Sequence, residues 1–452
     1  MKRRTQVVIS VALVLSGIYL AADAFDLTPG VLTARPLVEE AAQFPTVSDD
    51  AVIHPTVPEL DPSAAVPQDV KAAIEALAAD SRVTGEVSVK VVDAMTGDVL
   101  GALNPDTARV PASNMKLLTA VAALSALGPD TTLPTIALLS GSTVYLVGGG
   151  DILLSAGTGD TDAVAGHAGL ADLAKQAAAA LKKAGATNVT VKVDSSAFSG
   201  GLFHSSIEGT DRDYVMEARP IAIDESRDDD GAFSADPDLS AGQVFSDALQ
   251  AQGISVSFEG RATAPSGTTE VGRVESASMR QIVDYMLTNS DNSVATILGH
   301  LISIKSGYEG TFPGAVRGTL DVLNDLKLPT DGITIAENSG LSVDNRLTVA
   351  FLVELLQQVY QNEGGTLASI PSGLPVMGLN GTLQDRENGT NLSGRVRAKT
   401  GTLIEANSIS GYLLTQQGRL LTFSVLIDHI DTGTTQVARD AEDDFLEALA
   451  NE

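Results

Sequence analysis

Residues Pro111–Ala120 read PASNMKLLTA, and a run rich in alanine and leucine follows them at once. This run has the length and composition of a helix, and Gly128-Pro129 is a typical stop signal, so the sequence predicts a helix that begins near Ser113. Ser113 and Lys116 then lie three positions apart on one face of that helix. Two interpretations follow: Ser113 caps the helix, or it is a nucleophile whose base lies one turn away.

Length and composition limit what the chain can be. Its 452 residues are enough for two or three domains, and 44% of them are hydrophobic, which is enough for a sizeable core. The formal net charge of −28 argues against a nucleic-acid partner, which would need a basic surface. Cysteine is absent, so disulfides and thiolate chemistry are excluded.

The N-terminus resembles a targeting segment. The basic start MKRR precedes the apolar run Val7–Ala22, and Ala22-Asp23-Ala24 offers a small-x-small cleavage site. Residues 1–24 are therefore predicted to be a signal peptide or a membrane anchor, and residues 25–66, with many prolines, a linker. We expect an exported protein at the outer face of the cytoplasmic membrane, in the cell wall or in the periplasm, with membrane contact only through this segment.

The rest of the chain predicts an α/β (α+β) protein. Two early strands, several later helices and three late strands indicate one antiparallel sheet built from both chain ends and flanked by helices. Residues 151–270 alternate between helix and strand, and predict an inserted α/β subdomain. Residues 67–150 and 271–452 would then form the main, catalytic domain.

Two further motifs could carry chemistry. Ser290-Asp291-Asn292 lies between two predicted helices, where a tight turn can direct Ser290 and Asn292 into a cleft, although such residues more often form an ordinary polar turn. Lys399-Thr400-Gly401-Thr402 lies in a predicted strand. A glycine inside a strand often marks the close approach of another backbone or a ligand. The alternative for Lys399 is an exposed lysine on an edge strand.

Histidine does not provide an obvious base. The five histidines are His54, His167, His204, His300 and His429, and none lies in a known nucleophile or metal-ligand motif. A Ser-His-Asp hydrolase is therefore disfavoured. A lysine can take the place of histidine when burial and a neighbouring positive charge lower its pKa.

The three motifs together, in this order, resemble those of penicillin-binding proteins and class A β-lactamases. The stretch between Ser113 and Ser290 is much too long for a compact β-lactamase, and the excess matches the predicted insertion. The chain therefore resembles the D-Ala-D-Ala carboxypeptidase/endopeptidase family called DacB, or peptidase family S13, the class C low-molecular-mass penicillin-binding proteins. The strings YLVGGGDILLS, ENSGLSVDNRLT and LPVMGLNGTLQDR agree with that family.

The resemblance implies a penicillin-binding protein/β-lactamase-like transpeptidase fold and acyl-enzyme chemistry on peptidoglycan stem peptides, without a metal or other cofactor. It implies that Ser113 is the nucleophile, that Lys116 is its base and that Ser290 relays a proton to the leaving amine. The backbone N–H groups of Ser113 and Thr402 would form the oxyanion hole. β-Lactams would acylate Ser113 as inhibitors. The implied substrate-binding residues are Asn292, Lys399, Thr400, Gly401 and Thr402, with Lys399 also keeping Lys116 neutral.

Alternatives remain open at this point. The chain could be a β-lactamase or esterase of the same superfamily, or a catalytically idle scaffold at the cell envelope. Two positions also depart from the family. Val343 stands where the family often has arginine, which argues against recognition of a substrate side-chain carboxylate there, and Leu403 gives an apolar wall after the KTGT motif.

Overall fold

The computed structural model describes residues 57–228, 230–362, 364–387 and 390–452. Its strands are β1 (Glu86–Asp93), β2 (Val99–Leu103), β3 (Pro134–Ser140), β4 (Thr143–Gly148), β5 (Asp151–Leu154), β6 (Asn188–Asp194), β7 (Ile221–Ile223), β8 (Ser255–Arg261), β9 (Thr269–Glu275), β10 (Val396–Leu403), β11 (Ala406–Leu414) and β12 (Leu420–Asp428). Its α-helices are α1 (Val70–Ala79), α2 (Met115–Leu127), α3 (Leu170–Lys183), α4 (Pro237–Ala251), α5 (Met279–Asn289), α6 (Asn292–Lys305), α7 (Phe312–Asp325), α8 (Val349–Gln361), α9 (Ile370–Gly373) and α10 (Thr435–Asn451).

The main sheet joins the two ends of the described chain. Its strand order is β10-β11-β12-β1-β2, and every neighbouring pair is antiparallel. The alternation of valines in β1 buries Val89 and Val91 completely, as a sheet covered on its faces requires. The prediction of one sheet built from early and late strands is confirmed. β10 is an edge strand, so one side of it is available to other groups.

Helices cover both faces of this sheet. Val89, Phe423 and Val425 share a hydrophobic core with α1 and α10. On the other face Tyr412 and Leu426 join a larger core formed chiefly by α2, α5, α6 and α8. The helix α2, which carries Lys116, is buried almost all round, so its N-terminus is held firmly between the sheet and the other helices.

A second sheet lies within the middle of the chain, with strand order β8-β6-β4-β3-β9. The helices α3 and α4 pack against it around Leu173, Val191 and Phe245. The strands β3 and β4 precede residue 151, and β9 extends to Glu275. We therefore propose that the inserted subdomain spans residues 134–275 rather than 151–270, because strands that share hydrogen bonds belong to one folding unit.

The predicted signal peptide or anchor and residues 25–56 of the predicted linker lie outside the described residues. Residues 57–69 contain no helix or strand, as expected for the end of a proline-rich linker. They are fixed to the body in part by Arg419, whose Nη1 donates to the carbonyl oxygen of Pro62 at 2.6 Å. In the part of the chain that the structure describes, each helix is too short or too polar to cross a bilayer.

Candidate active site

Ser113 lies in a 3₁₀ turn, Ala112–Asn114, that leads directly into α2. Its side chain makes no capping hydrogen bond to the helix; instead Ser113 Oγ accepts a hydrogen bond from Lys116 Nζ at 3.0 Å. The preceding residue, Ala112, has a positive φ of 45°, which is costly for a residue with a Cβ. The N-cap interpretation of Ser113 is therefore wrong, and the turn holds the hydroxyl half-exposed at the helix start.

Two glycines allow other backbones to approach this turn. A Cβ on Gly401 of β10 would lie only 2.7 Å from the backbone nitrogen of Ser113, so the strand and the turn are in direct contact there. Gly340, with φ of 85°, lies against the carbonyl of Ala112 and has no space for a side chain. The prediction that Gly401 marks a close backbone approach is confirmed, and the partner is the Ser113 turn.

Lys116 is completely buried, and its Nζ has three oxygen acceptors. Besides Ser113 Oγ, these are Asn292 Oδ1 at 2.6 Å and the backbone oxygen of Ser339 at 2.6 Å. The helix spacing brings Ser113 and Lys116 together locally, whereas Asn292 and Ser339 come from distant parts of the chain. Lys116 thus links three of the motifs that the sequence singles out.

Lys399 is completely buried as well, so it is not the exposed edge lysine of the alternative interpretation. Its Nζ donates to Ser290 Oγ at 2.9 Å and to the backbone oxygen of Thr400 at 2.7 Å. It therefore lies beneath the open surface and supports Ser290 from below.

The two lysines interact electrostatically. Burial lowers the pKa of Lys116 to about 8, against the opposing charges of Glu337 and Asp291. Burial lowers the pKa of Lys399 well below its ordinary value, and the charge of Lys116 lowers it further. Two buried ammonium groups repel each other, so the pair favours a single positive charge. The prediction that Lys399 helps to keep Lys116 neutral stays a prediction.

The turn Ser290-Asp291-Asn292 separates α5 from α6. Ser290 ends α5 in the left-handed region with φ of 57°, an arrangement that costs about 1–2 kcal/mol and that is common at functional sites. Asp291 caps α6 by accepting a hydrogen bond from the backbone N–H of Val294 at 2.8 Å. Asn292 Nδ2 donates to the carbonyl of Tyr214 at 2.9 Å, so the second-sheet segment of the chain also touches this turn.

The buried Glu225 supports the same turn from behind. It is 2% exposed, lies close enough to Asp291 to feel its charge, and has Arg227 Nη2 at 3.4 Å. Burial, followed by the negative charge of Asp291, raises the pKa of Glu225 to about 8, while Arg227 acts in the opposite direction. Burial beside a second carboxyl group therefore favours the protonated form of Glu225.

Replacement of Glu225 by glutamine should change how stability depends on pH. Because the pKa of Glu225 is raised on folding, its contribution to stability is complete below its ordinary value of 4.5 and is lost as the pH rises to about 8. Glutamine keeps a hydrogen-bond donor and cannot ionise. We therefore expect the Tm of Glu225→Gln, relative to that of the wild type, to rise as the pH is raised from about 5 to about 9.

Thermal melting across that pH range measures this difference, and Glu75→Gln on the exposed face of α1 serves as the matched control. A difference in Tm between Glu225→Gln and the wild type that stays constant with pH would show that Glu225 is ionised throughout.

The open edge of β10 faces the Ser113 turn. The backbone N–H of Ala398 donates to the carbonyl of Pro375 at 3.0 Å, on the side of β10 opposite to β11. Backbone N–H groups alternate along a strand, so those of Thr400 and Thr402 point to this same side. The hydroxyl of Thr400 shares a hydrogen bond with that of Thr382 at 2.7 Å. The strand thus presents N–H groups and hydroxyls next to Ser113.

These elements enclose an open cleft of about 640 Å³, named here the active-site cleft. Its walls are the turns at Ser113 and Ser290, the segment 382–387, strand β10 and the helix α10. In this cleft the half-exposed hydroxyl of Ser113, with its buried partner Lys116, lies next to a strand edge rich in hydrogen-bond donors. This arrangement is suited to the acylation of a serine by a peptide-like carbonyl.

Comparison with known proteins identifies the family. The model of the D-Ala-D-Ala carboxypeptidase 3 (S13) family matches residues 70–227 and 221–449. The chain belongs to this family. It is a serine peptidase of the kind named D-Ala-D-Ala carboxypeptidase, and the resemblance stated from the sequence is confirmed.

The most similar relatives agree. The S13 chain is 33% identical to a carboxypeptidase of Mycobacterium tuberculosis over 81% of its own length and 80% of that protein. It is 30% identical to the carboxypeptidase DacB of Mycolicibacterium smegmatis, covering 88% of its own length and 89% of the relative. Among solved structures, penicillin-binding protein 4 (dacB) of Haemophilus influenzae matches with a TM-score of 0.70 at 18% identity, over 84% of this chain and 99% of that one. This last match supports the fold.

Some residues of the S13 site have no individual prediction from the sequence. The carboxylate of Glu337 is buried and accepts hydrogen bonds from the backbone N–H groups of Ser339 at 2.6 Å and Gly340 at 2.7 Å. It thereby shapes the loop that touches Lys116 and Ala112. The string ENSGLSVDNRLT signals this loop, but its folding around a carboxylate follows only from the structure.

A second unpredicted contribution comes from the C-terminal helix. Arg439 of α10 donates from Nη2 to Thr402 Oγ1 at 2.9 Å, at the open end of β10. Nothing in the helical pattern of α10 distinguishes this arginine from an ordinary surface residue, because its partner lies on another element.

Metal ligation is a poor fit at the one cluster of possible ligands found among the described residues. The side chains of Glu86, Asp428 and His429 have oxygen and nitrogen atoms within 4.8 Å of one another. Arg109 Nη1 already lies 2.9 Å from the carboxylate of Glu86 and 2.6 Å from that of Asp428. The guanidinium thus occupies the place that a cation would take, and the cluster lies outside the lining of the active-site cleft.

Proposed function

We propose that this S13 peptidase removes the terminal D-alanine from peptidoglycan stem peptides through an acyl-enzyme on Ser113, outside the cytoplasm, and that β-lactams acylate the same serine. The observation that carries the proposal is the hydrogen bond of 3.0 Å between the buried amine of Lys116 and the half-exposed hydroxyl of Ser113. A serine hydroxyl needs a neighbouring base, and Lys116 is the titratable group placed to serve as one.

Acylation begins with attack of Ser113 Oγ on the carbonyl carbon of the penultimate D-alanine. The hydroxyl proton passes to the neutral form of Lys116 Nζ as the C–O bond forms. The carbonyl oxygen, now negative, accepts hydrogen bonds from the backbone N–H groups of Ser113 and Thr402. Each such donor contributes roughly 2.7–4 kcal/mol in other hydrolases. The close approach at Gly401, with the Thr402 N–H on the open edge of β10, supports this pairing.

The scissile C–N bond then breaks, and the leaving amine needs a proton. Ser290 is placed to deliver it, because its hydroxyl accepts a hydrogen bond from Lys399 Nζ at 2.9 Å and can be re-protonated from there. The proton that Lys116 took from Ser113 replaces the one that the Ser290–Lys399 pair gave to the amine, so Lys116 is neutral again. Water next attacks the acyl carbon and gives a proton to Lys116, which returns it to Ser113 Oγ as the acyl bond breaks and the shortened peptide leaves. Asn292, fixed by Lys116 and the carbonyl of Tyr214, would bind the backbone amide of the substrate.

Substrate binding also provides a way to prepare the base. A C-terminal carboxylate at the end of β10 favours the charged form of Lys399, since opposite charges stabilise each other. The positive charge then moves to Lys399, and the mutual repulsion of the lysines lowers the pKa of Lys116 further. In this proposal the neutral base forms when the substrate is present.

The test is an assay of products. The protein is incubated with a stem pentapeptide and, separately, with cross-linked muropeptides, and the products are identified by mass spectrometry. Release of one D-alanine from the pentapeptide supports the proposal, and cleavage of the cross-link assigns endopeptidase activity as well. Rapid hydrolysis of a chromogenic β-lactam without D-alanine release would favour a β-lactamase, and the absence of both reactions would favour a scaffold.

A further inference from the structure

Arg439 is the accessible cation at the end of the active-site cleft where β10 finishes. It is half-buried on α10, it lines the same cleft as Ser113, and its Nη2 donates to Thr402 Oγ1 at 2.9 Å. Arg386 also lines the cleft but is paired with Glu442 and Asp443. Lys399 is fully buried, with its Nζ directed to Ser290 and to the backbone oxygen of Thr400. A ligand in the cleft can therefore touch the guanidinium more readily than the ammonium.

Arg439 forms no ion pair with a carboxylate among the described residues. Asp443 and Glu442 on the same helix are paired with Arg386, at 2.6 Å and 3.2 Å. Across the described residues, no carboxylate oxygen lies within the 4.0 Å of an ion pair with Arg439. Its guanidinium has five N–H donors, and its side-chain hydrogen bonds are those to Thr402 and, at 3.3 Å, to Gln436 Oε1. Donors remain for a ligand.

An arginine without an ion-pair partner is chemically suited to bind an anionic ligand at this end of the cleft. The α10 wall of the cleft carries Asp440, which has no ion-pair partner among the described residues, so this wall would repel an anionic ligand unless a cation faced that ligand directly. Arginine offers a planar fork that matches the two oxygens of a carboxylate. The hydroxyl of Thr402, already in contact with the guanidinium, places a further donor at the same point.

We propose that Arg439 binds the C-terminal carboxylate of the substrate together with the hydroxyls of Thr400 and Thr402, and thereby selects peptides with a free carboxyl end. This inference rests on the proposed D-alanine-releasing function and adds a specificity residue to it. Arg439 has no part in the bond-breaking steps. Loss of Arg439 therefore weakens the binding of substrates that carry the carboxylate and leaves the binding of substrates that lack it unchanged.

Two matched thioester substrates test this assignment, because a thiolate is a good leaving group and gives a measurable rate in both cases. Both carry the same acyl-D-alanyl group; one leaving group is thioglycolate, which ends in a carboxylate, and the other is thioglycolamide. Wild type, Arg439→Gln, Arg439→Lys and the control Arg273→Gln on β9 are compared by kcat/KM. Arg273→Gln removes one exposed positive charge outside the main sheet.

Arg439→Gln should lower kcat/KM for the thioglycolate substrate by about tenfold to a hundredfold, as expected for the loss of a charge-assisted hydrogen bond. The rate with the thioglycolamide should stay unchanged, and the loss should appear mainly in KM, since the contact is present before and during reaction. Arg439→Lys should retain part of the preference for the thioglycolate substrate, because lysine keeps the positive charge but cannot make the bidentate contact of a guanidinium. Arg273→Gln should behave as the wild type.

An equal loss on both thioesters would assign Arg439 a structural role and overturn the inference while leaving the proposed function intact. Unchanged kinetics of Arg439→Gln on both substrates would overturn it too. If the wild type releases no D-alanine from the pentapeptide, the proposed function fails and the inference fails with it. Melting curves of each variant establish that the folded state is being compared.

Discussion

Replacement of Ser113 by alanine is expected to abolish covalent labelling by a fluorescent penicillin and to lower D-alanine release by about 10⁶-fold, the loss typical of a serine nucleophile that acts as a unit with its base. The reason is that Ser113 Oγ forms the acyl bond, and among the described residues it is the hydroxyl that Lys116 Nζ contacts. Alanine removes only one oxygen from a half-exposed position, so the fold should persist. Gel fluorescence after penicillin treatment measures the labelling.

Ser142→Ala is the matched control, since Ser142 is an exposed serine in the turn between β3 and β4. It should label as the wild type does. Labelling of Ser113→Ala at an undiminished rate would remove Ser113 as the nucleophile. In that case Ser290 would have to be examined, because its hydroxyl also lines the cleft and contacts a buried lysine.

The local part of this site follows from the sequence. Ser113 and Lys116 are three residues apart, and helix geometry alone brings them onto one face, so the 3.0 Å contact needs no knowledge of the fold. The strand pattern around Gly401 similarly predicts a close approach, which the structure finds at Ser113. Periodicity works for Ser113 and Lys116 because they are neighbours along the chain, whereas the glycine in β10 indicates a close approach without naming its partner.

Contacts between residues that are distant in the sequence cannot be predicted from local patterns. Periodicity gives no distance between Ser290 and Lys399, and their hydrogen bond was not predicted; the resemblance to a family assigned both residues to one site without pairing them. The location of Arg439 beside Thr402 depends on how α10 packs on the main sheet, which is decided by buried residues such as Phe445 and Leu446. A surface arginine and a cleft arginine look the same in a helical sequence.

The boundaries of the inserted subdomain depend on long-range pairing for the same reason. The residues of β3 and β4 were predicted to lie in the main domain, within the segment 67–150. They are joined to β6 and β9, so they belong to the second sheet.

The helix α7 was not predicted either, although Pro313 at its start and the cap by Thr311 are recognisable signals once the helix is known.

Lys116→Arg is expected to lower the acylation rate by about 10³-fold or more and to remove its dependence on pH near neutrality, because general-base catalysis contributes 10²–10⁴-fold and arginine does not give up its proton. In the wild type the neutral amine is the active form. Its pKa of about 8 means that the rate should rise with pH and level off above that value. The initial rate of penicillin acylation, measured across this range, shows the inflection.

The direction of the pH effect separates a base from a fixed charge. If Lys116 acted only by attracting an anion, its protonated form would be the active one, and the rate would fall as the pH rises through the same value. Lys116→Arg, which is always charged, would then keep most of the wild-type rate at neutral pH. Lys175→Arg on the exposed face of α3 is the control for the substitution itself. A rising profile in the wild type and a slow, flat one in Lys116→Arg would together require that Lys116 accepts the proton of Ser113.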